Sequence, residues 1–385
     1  GGTTWYGYEE YDYNPEYYDT WSWGYNLITG IMGASGILTP ANQRRSSPTQ
    51  IPGTRWTKKF SVKDSAYGIK DDGTLWCMGQ NTYGQLANNT NAGGWWMGVS
   101  SPIQIPGTNW ASIEAHGSWA NATKTDGTLW AWGANSNGQL GVNDTVHRSS
   151  PVQVPGTTWQ TLLNGSIAGG IKTDGTLWNW GGNSHGILGH NESPGSRPGY
   201  SSPVQMGTAT NWQGGSCGGA VNFMFKTTGE MWAAGHQGED RSLGLNSGPT
   251  NHRSSPAQIP GTTWSKVVSS GMNTHALKTD GTLWSWGDNE MGQGGYGPAP
   301  SQMSSPKQVP GTTWLDVSPM SESTMGLKTD GTLWTWGANE GGELGHNITG
   351  PAPTVRVTSP QQIPGTNWKA CFSGDRVMFA FQEPS

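Results

Sequence analysis

A chain of 385 residues with 60 glycines and 23 tryptophans but only 12% charged residues is built for tight turns and bulky anchors, which argues against long helices and against disorder. Its net charge of -5, with 21 Lys plus Arg and no basic cluster, excludes the phosphate-neutralising surface that nucleic-acid binding requires. No apolar run reaches the roughly 20 residues that span a bilayer, so membrane insertion is not expected, and Cys77, Cys217 and Cys371, odd in number and far apart, are expected as buried thiols rather than a disulfide framework.

The chain opens with an arm, residues 1–19, beginning Gly-Gly-Thr-Thr without Met, which leaves processing of the N-terminus open. It carries Trp5, Tyr6, Tyr8, Tyr11, Tyr13, Tyr17 and Tyr18 among Glu9, Glu10, Asp12, Glu16 and Asp19. Tyrosine offers amphipathic contact area at low entropy cost, so the arm is a candidate for docking on a neighbouring subunit. Folding along the rim of its own domain, or partial disorder, are the alternatives.

Residues 20–385 are expected to form one domain, because a repeat runs through them. TWSWGYN, Thr20 to Asn26, contains the element Trp-x-Trp-Gly, which returns downstream as LWAWG, LWNWG, LWSWG and LWTWG. The first tryptophans of this element are Trp21, Trp76, Trp130, Trp178, Trp232, Trp284 and Trp334, and a second series, Trp56, Trp110, Trp159, Trp212, Trp264, Trp314 and Trp368, follows PGT or a near relative. The step from a PGT tryptophan to the next Trp-x-Trp-Gly is 20 residues in five units and 19 in the unit of Trp159. Constancy of that kind marks one supersecondary unit used again and again.

Within each unit, Asp126-Gly127, Asp174-Gly175, Asp280-Gly281 and Asp330-Gly331 supply the positive φ values of a tight hairpin and so predict two antiparallel strands. The prolines of SSPxQxP suit an outer, less fully paired third strand, and the segment after PGTxW gives the fourth. Four short strands in units of 48 to 55 residues, seven times over, predict an all-β fold: a seven-bladed β-propeller of four-stranded antiparallel blades. Trp368 begins a unit that ends before its own Trp-x-Trp-Gly, so Trp21 to Gly24 is expected to pair with Val377 to Phe381, closing the ring by joining N-terminal and C-terminal strands in one blade.

KTDGTLWAWGANSNGQLG followed by RSSPVQVPGTTW resembles the repeats of the regulator of chromosome condensation family, and the likeness runs from about Trp21 to the C-terminus. The resemblance implies a seven-bladed propeller. It is weak on function, because that fold hosts nucleotide exchange on a small GTPase, chromatin binding, β-lactamase inhibition and surface proteins. The close similarity of the repeats to one another is like that of bacteriophage and bacterial surface propellers. The basic tail and the acidic and His positions of the eukaryotic exchange factor are not matched here, so exchange activity is not carried over. Two units depart from the pattern: Thr228-Gly229, Met231 and Ala234 stand around Trp232, and Met78 replaces the second tryptophan after Trp76.

No motif for metal-dependent hydrolysis, phosphate cradling or nucleophilic catalysis is present. The chain is therefore expected to be no enzyme, without cofactor or metal, and His185 and His190 of HGILGH are expected as solvated or satisfied loop histidines. Of the tryptophans, Trp5, Trp95, Trp96 and Trp119 escape the repeat. A meander places Asp-Gly turns and PGT links on one face of the disc and the loops holding Trp95, Trp96 and Trp119 on the other, near Arg197, Tyr200 and Tyr296. Such aromatics suit sugar rings or protein hot spots; the alternative is tryptophan pinning a long loop to its own blade.

The first functional reading is a non-enzymatic recognition or structural propeller on an extracellular or virion surface, holding a glycan, a receptor or a neighbouring subunit, as a homo-oligomer or within a larger particle. The second is an intracellular, cytoplasmic regulator docking a small GTPase or other protein. A lyase or hydrolase in the channel is the third.

Overall fold

A computed structural model describes residues 19–25, 44–50, 55–62, 64–90, 98–165, 167–192, 199–236, 242–246, 252–270, 272–340, 342–346, 356–373 and 377–382. The Trp110 blade shows how the unit folds. Its strands Trp110–Ala115, Trp119–Lys124, Leu129–Gly133 and Arg148–Val154 lie side by side in antiparallel order. Gly127 turns the central hairpin with φ 77°, a conformation that costs glycine nothing, and Asp126 Oδ1 accepts from Thr128 N at 2.9 Å and from its Oγ1 at 2.6 Å. Pro151 lies where the outer ladder skips between Arg148 and Val152, the interruption that a residue without an N–H needs.

The repeated polar residues form a chain of contacts under each hairpin. Thr128 Oγ1, held by Asp126, accepts from Trp130 Nε1 at 2.9 Å, and Lys124 Nζ sits 4.9 Å from the Trp110 ring centre and 4.7 Å from that of Trp130. Lys172, Lys278 and Lys328 are clasped in the same way by their own two indoles. A cation between two aromatic faces stabilises by about 1–2 kcal/mol when partly desolvated, so the lysine staples its own strand to the strand on either side. In the Trp212 blade Glu230 replaces the threonine, pairing with Lys226 at 3.5 Å, and Trp232 Nε1 has no hydrogen-bond partner among the described residues.

Blades are latched to one another on both faces of the disc. Beneath, Trp159 N donates to Gly127 O of the preceding blade at 3.0 Å, with Trp110, Trp264, Trp314 and Trp368 doing the same to Gly73, Gly229, Gly281 and Gly331. Above, the second indole of the Trp-x-Trp-Gly element crosses the junction: Trp132 Nε1 donates to Gln85 O at 2.8 Å, Trp180 to Gln139 O at 3.0 Å, Trp286 to Ser242 O at 2.9 Å and Trp336 to Gln293 O at 2.8 Å. These four side chains are among the most deeply buried of the described residues. Met78 and Ala234 stand where two such latches would be. Around Met78 the gap is filled by Phe60, Phe379 and Phe381, and around Ala234 by Met206, Met224 and Leu188.

The expected closure is present. Asp19–Tyr25 lies between Val377–Gln382 and Arg44–Gln50, with Trp21 opposite Ala380, Ser22 opposite Phe379 and Gly24 opposite Val377. The expectation of seven blades that are all four-stranded and antiparallel is corrected. Six sheets have that form, and the sheet containing Trp212–Gly218 has five strands. The inner strand of the preceding blade, Trp159–Leu162, stops early, and its continuation Asn164–Gly165 leaves to pair in parallel with Ser216 and Cys217. Inner strands of neighbouring blades converge on the axis, and Gly215 leaves the room: a Cβ there would lie 2.4 Å from Phe223 O and 3.0 Å from Leu163 Cδ2.

Two outcomes test this account. Deleting residues 1–24 removes the strand between two others and exposes two edges, so the midpoint of thermal unfolding should fall by ten degrees or more, roughly a few kcal/mol; an unchanged midpoint refutes closure. Trp336→Ala removes a buried indole and its latch, which should cost about 3–5 kcal/mol in chemical denaturation, against less than about 1 kcal/mol for the exposed Leu315→Ala.

Candidate functional site

The inner strands enclose an axial cavity of about 310 Å³, lined by Glu114, Gln213, Lys266, Cys371 and Ser373 among others. Its charges are engaged with one another. Lys266 on one blade forms an ion pair and hydrogen bond with Asp316 on the next; burial works to lower the Lys266 pKa, and the Asp316 carboxylate outweighs it, holding the ammonium above its ordinary value. Ser61 Oγ donates to Glu114 Oε2 at 3.3 Å and accepts from Ala115 N at 2.9 Å. Burial pushes the Cys371 thiol up, so it is no thiolate nucleophile. No histidine lines the cavity among the described residues. What the channel offers is a fixed ion pair rather than a nucleophile with a base beside it.

Most histidines are absorbed by the fold. His116 stacks on Trp119 with ring centres 3.8 Å apart, and its Nε2 lies 2.9 Å from Asn121 Oδ1. His147 Nδ1 accepts from Asn135 N at 2.8 Å, and His346 Nε2 lies 3.0 Å from Thr335 Oγ1. His275 is wholly buried in the strand Asn273–Lys278; burial pushes its pKa down to about 3 against a small opposing effect of the Gln293 backbone.

The exception lies on the loop face, at the junction between the Trp159 and Trp212 blades. His185, His236 and His252 each present a ring nitrogen, and the three nitrogens lie within 4.8 Å of one another. His236 and His252 stack at 4.5 Å and 21°, and His185 meets His236 edge-on at 4.4 Å and His252 at a tilt at 5.1 Å. Burial, then the neighbouring His185 and His252, lower the His236 pKa below its ordinary value. His185 belongs to the 3-10 turn Ser184–Gly186 and holds φ 58°, while His236 follows the strand Met231–Gly235 and His252 precedes Arg253–Gln258. A three-nitrogen cluster of this kind has the donor set of a metal site.

Of the residues expected to form an aromatic patch, Trp119, Tyr200 and Tyr296 are described. Trp119 begins the strand Trp119–Lys124 and is only 4% exposed, in a core cluster with Trp180 and Leu162. Tyr200 packs half-buried against that cluster and donates to Glu192 Oε1. Tyr296 is half-buried two blades further on, under Lys307 Nζ at 4.5 Å, and burial, then Asp288, push its hydroxyl pKa up. Trp95, Trp96 and Arg197 lie outside the described residues, as do Trp5, Tyr6, Tyr8, Tyr11, Tyr13, Tyr17 and Tyr18 of the arm. His236 and His252 escaped the sequence reading. The available signal was that His236 stands where other repeats carry Ala134 or Ala338.

The family model of the Regulator of chromosome condensation (RCC1) repeat matches residues 126–161 and 330–381. No curated protein matches the chain. Among solved structures, a chain in the crystal structure of Kap60 bound to yeast RCC1 (Prp20) superposes with a TM-score of 0.82 at 16% identity, over 96% of this chain and 90% of that one. Prp20p of Saccharomyces cerevisiae gives 0.78 at 16% identity, over 97% and 94%. Human WBSCR16 gives 0.78 at 16% identity, over 95% and 99%. These likenesses show a shared propeller fold along nearly the whole length.

The buried His275 sets an acid dependence. Below its ordinary pKa of 6.5 the unfolded chain binds a proton that the folded chain refuses until about pH 3, so stability falls as pH drops from about 6.5 towards 3. His275→Met copies Met325, the corresponding residue of the next blade. Thermal unfolding at pH 7 and pH 4.5 should show a smaller acid loss in this variant than in the parent; equal losses would show that His275 is not the source.

Proposed function

We propose that this chain is a protein-docking propeller of the regulatory kind, acting inside the cell and holding a partner such as a small GTPase against its loop face without covalent chemistry. The observation that carries this reading is that two of the three large exposed apolar side chains among the described residues sit on the loop face, the third being Leu315 on the strand Trp314–Pro319. Val146, 60% exposed, and Met272, 52% exposed, both stand on loop-face connections, beyond the segments that latch blade to blade. Exposed apolar side chains rimmed by polar loops suit a protein partner. Trp119, one of the aromatics of the sugar-stacking reading, is only 4% exposed.

Two further points support it. The fold is shared with Prp20p, whose structure is described together with its binding properties to Gsp1p and histones. A net charge of -5 also favours a basic protein surface over an acidic one. Among the described residues, no helix is long and apolar enough to cross a membrane.

Surface plasmon resonance of the full chain against a purified Gsp1p-type GTPase and against purified core histones tests the reading, with nucleotide release followed in parallel. Binding to one of them is expected, weakened at least about tenfold by Val146→Asp with Met272→Asp while the unfolding midpoint holds. Failure to bind either protein, together with specific retention on a glycan array, would reverse the choice.

A further inference from the structure

Repeat proteins make function visible by exception, and the His185–His236–His252 cluster is three exceptions at one junction. At the corresponding junction between the Trp56 and Trp110 blades, Tyr83 packs against His147 with ring centres 5.4 Å apart. His185 occupies the repeat position of Tyr83 and His252 that of His147, so the pair that elsewhere makes an aromatic contact here supplies two imidazoles. His236 adds the third from a position held by alanine in the Trp110 and Trp314 blades. The fold does not demand a histidine at the His236 position, since the Trp110 and Trp314 blades close with Ala134 and Ala338 there.

The scaffold holds the three rings in place. The loop bearing His185 is tied to the strand that follows His252 through Asn191 N to Ser254 O at 2.7 Å and through Ser255 Oγ to Asn191 Oδ1. The same backbone tie recurs as Asn89 N to Ser149 O and Asn143 N to Ser201 O, so it is a rigid element of the repeat and not a local accident. His236 is fixed at its other end by its N–H, which donates to Ala220 O at 2.8 Å. Imidazoles clustered within 4.8 Å, with no carboxylate grouped with them among the described residues, repel one another once protonated, and an arrangement of that kind is stabilised by a shared cation that takes all three lone pairs.

We propose that His185, His236 and His252 bind one divalent transition ion, with zinc the best match, at the loop-face junction of the Trp159 and Trp212 blades. Zinc takes imidazole nitrogen at about 2.0–2.1 Å, which places tetrahedral ligands about 3.3 Å apart; rotation of the exposed His185 and His252 rings closes the span from 4.8 Å. Three nitrogens leave a fourth position open on the solvent side, for water or for a side chain of a docked protein. Imidazole-only donors favour zinc, copper or nickel over magnesium or calcium, which require oxygen. The site stands apart from the axial cavity and does not depend on the docking reading.

Isothermal titration of the chelator-treated, tag-free full chain with zinc chloride tests this. One equivalent of zinc should bind with a dissociation constant in the micromolar range or below, and cobalt(II) should give the intense visible bands of tetrahedral coordination. His236→Ala, which copies Ala134, should weaken binding at least about 100-fold with the unfolding midpoint of the metal-free chain unchanged. Should that variant misfold, His185→Asn, which copies Asn137, together with His252→Ala serves instead. Zinc binding that survives both sets of substitutions, or none up to millimolar zinc, overturns the proposal.

Discussion

A blade of this propeller carries apolar side chains on both faces, so no sheet is complete until a neighbour covers it, and the contact that does so most often is the indole reaching across the junction. Trp132, Trp180, Trp286 and Trp336 each bury a ring against the preceding blade and place Nε1 on a backbone carbonyl of its loop. A buried N–H that found no acceptor would cost about 1–3 kcal/mol. The indole therefore fixes distance and orientation together: the ring sets how far apart two blades sit, and the hydrogen bond sets which loop it must meet. The ties beneath, such as Trp159 N to Gly127 O and Trp314 N to Gly281 O, work with the same geometry.

Where that latch is missing, the structure changes character. At Met78 the junction falls to the blade built from both termini, and phenylalanines fill it. At Ala234 the junction joins the Trp159 and Trp212 blades, and three departures from the pattern meet there. The inner strand Trp159–Leu162 is cut short, Asn164–Gly165 crosses to the neighbouring sheet, and the histidine trio gathers above. Losing the indole removed the repeat's own demand on the loops at that seam. Residues there are free to differ, and the ones present are ligands in type.

Strands, turns and closure were legible in the sequence because each has a local cause. Asp-Gly dictates a tight turn through Gly127, proline dictates an outer position at Pro151, and the offset of 20 residues assigned Trp21 to the blade of Trp368 before any contact was known. The fifth strand was not legible, because parallel pairing of two residues depends on how closely inner strands approach at the axis. Nor was the burial of Trp119: a tryptophan outside the repeat pattern looked like a candidate for display, but it starts a strand and faces the core with His116 stacked upon it.

By itself, then, the chain determines what short-range chemistry can decide: the all-β repeat, its hairpins and the sharing of one blade between the two termini. Only the tertiary structure decided that one sheet takes a strand from its neighbour, that the channel charges Lys266 and Asp316 satisfy each other, and that His185, His236 and His252 share one point on the loop face. The reason is physical. A repeat constrains residues against their own blade, over distances that sequence spacing encodes, whereas sites at the seams are set by the angle at which two separately folded blades are latched.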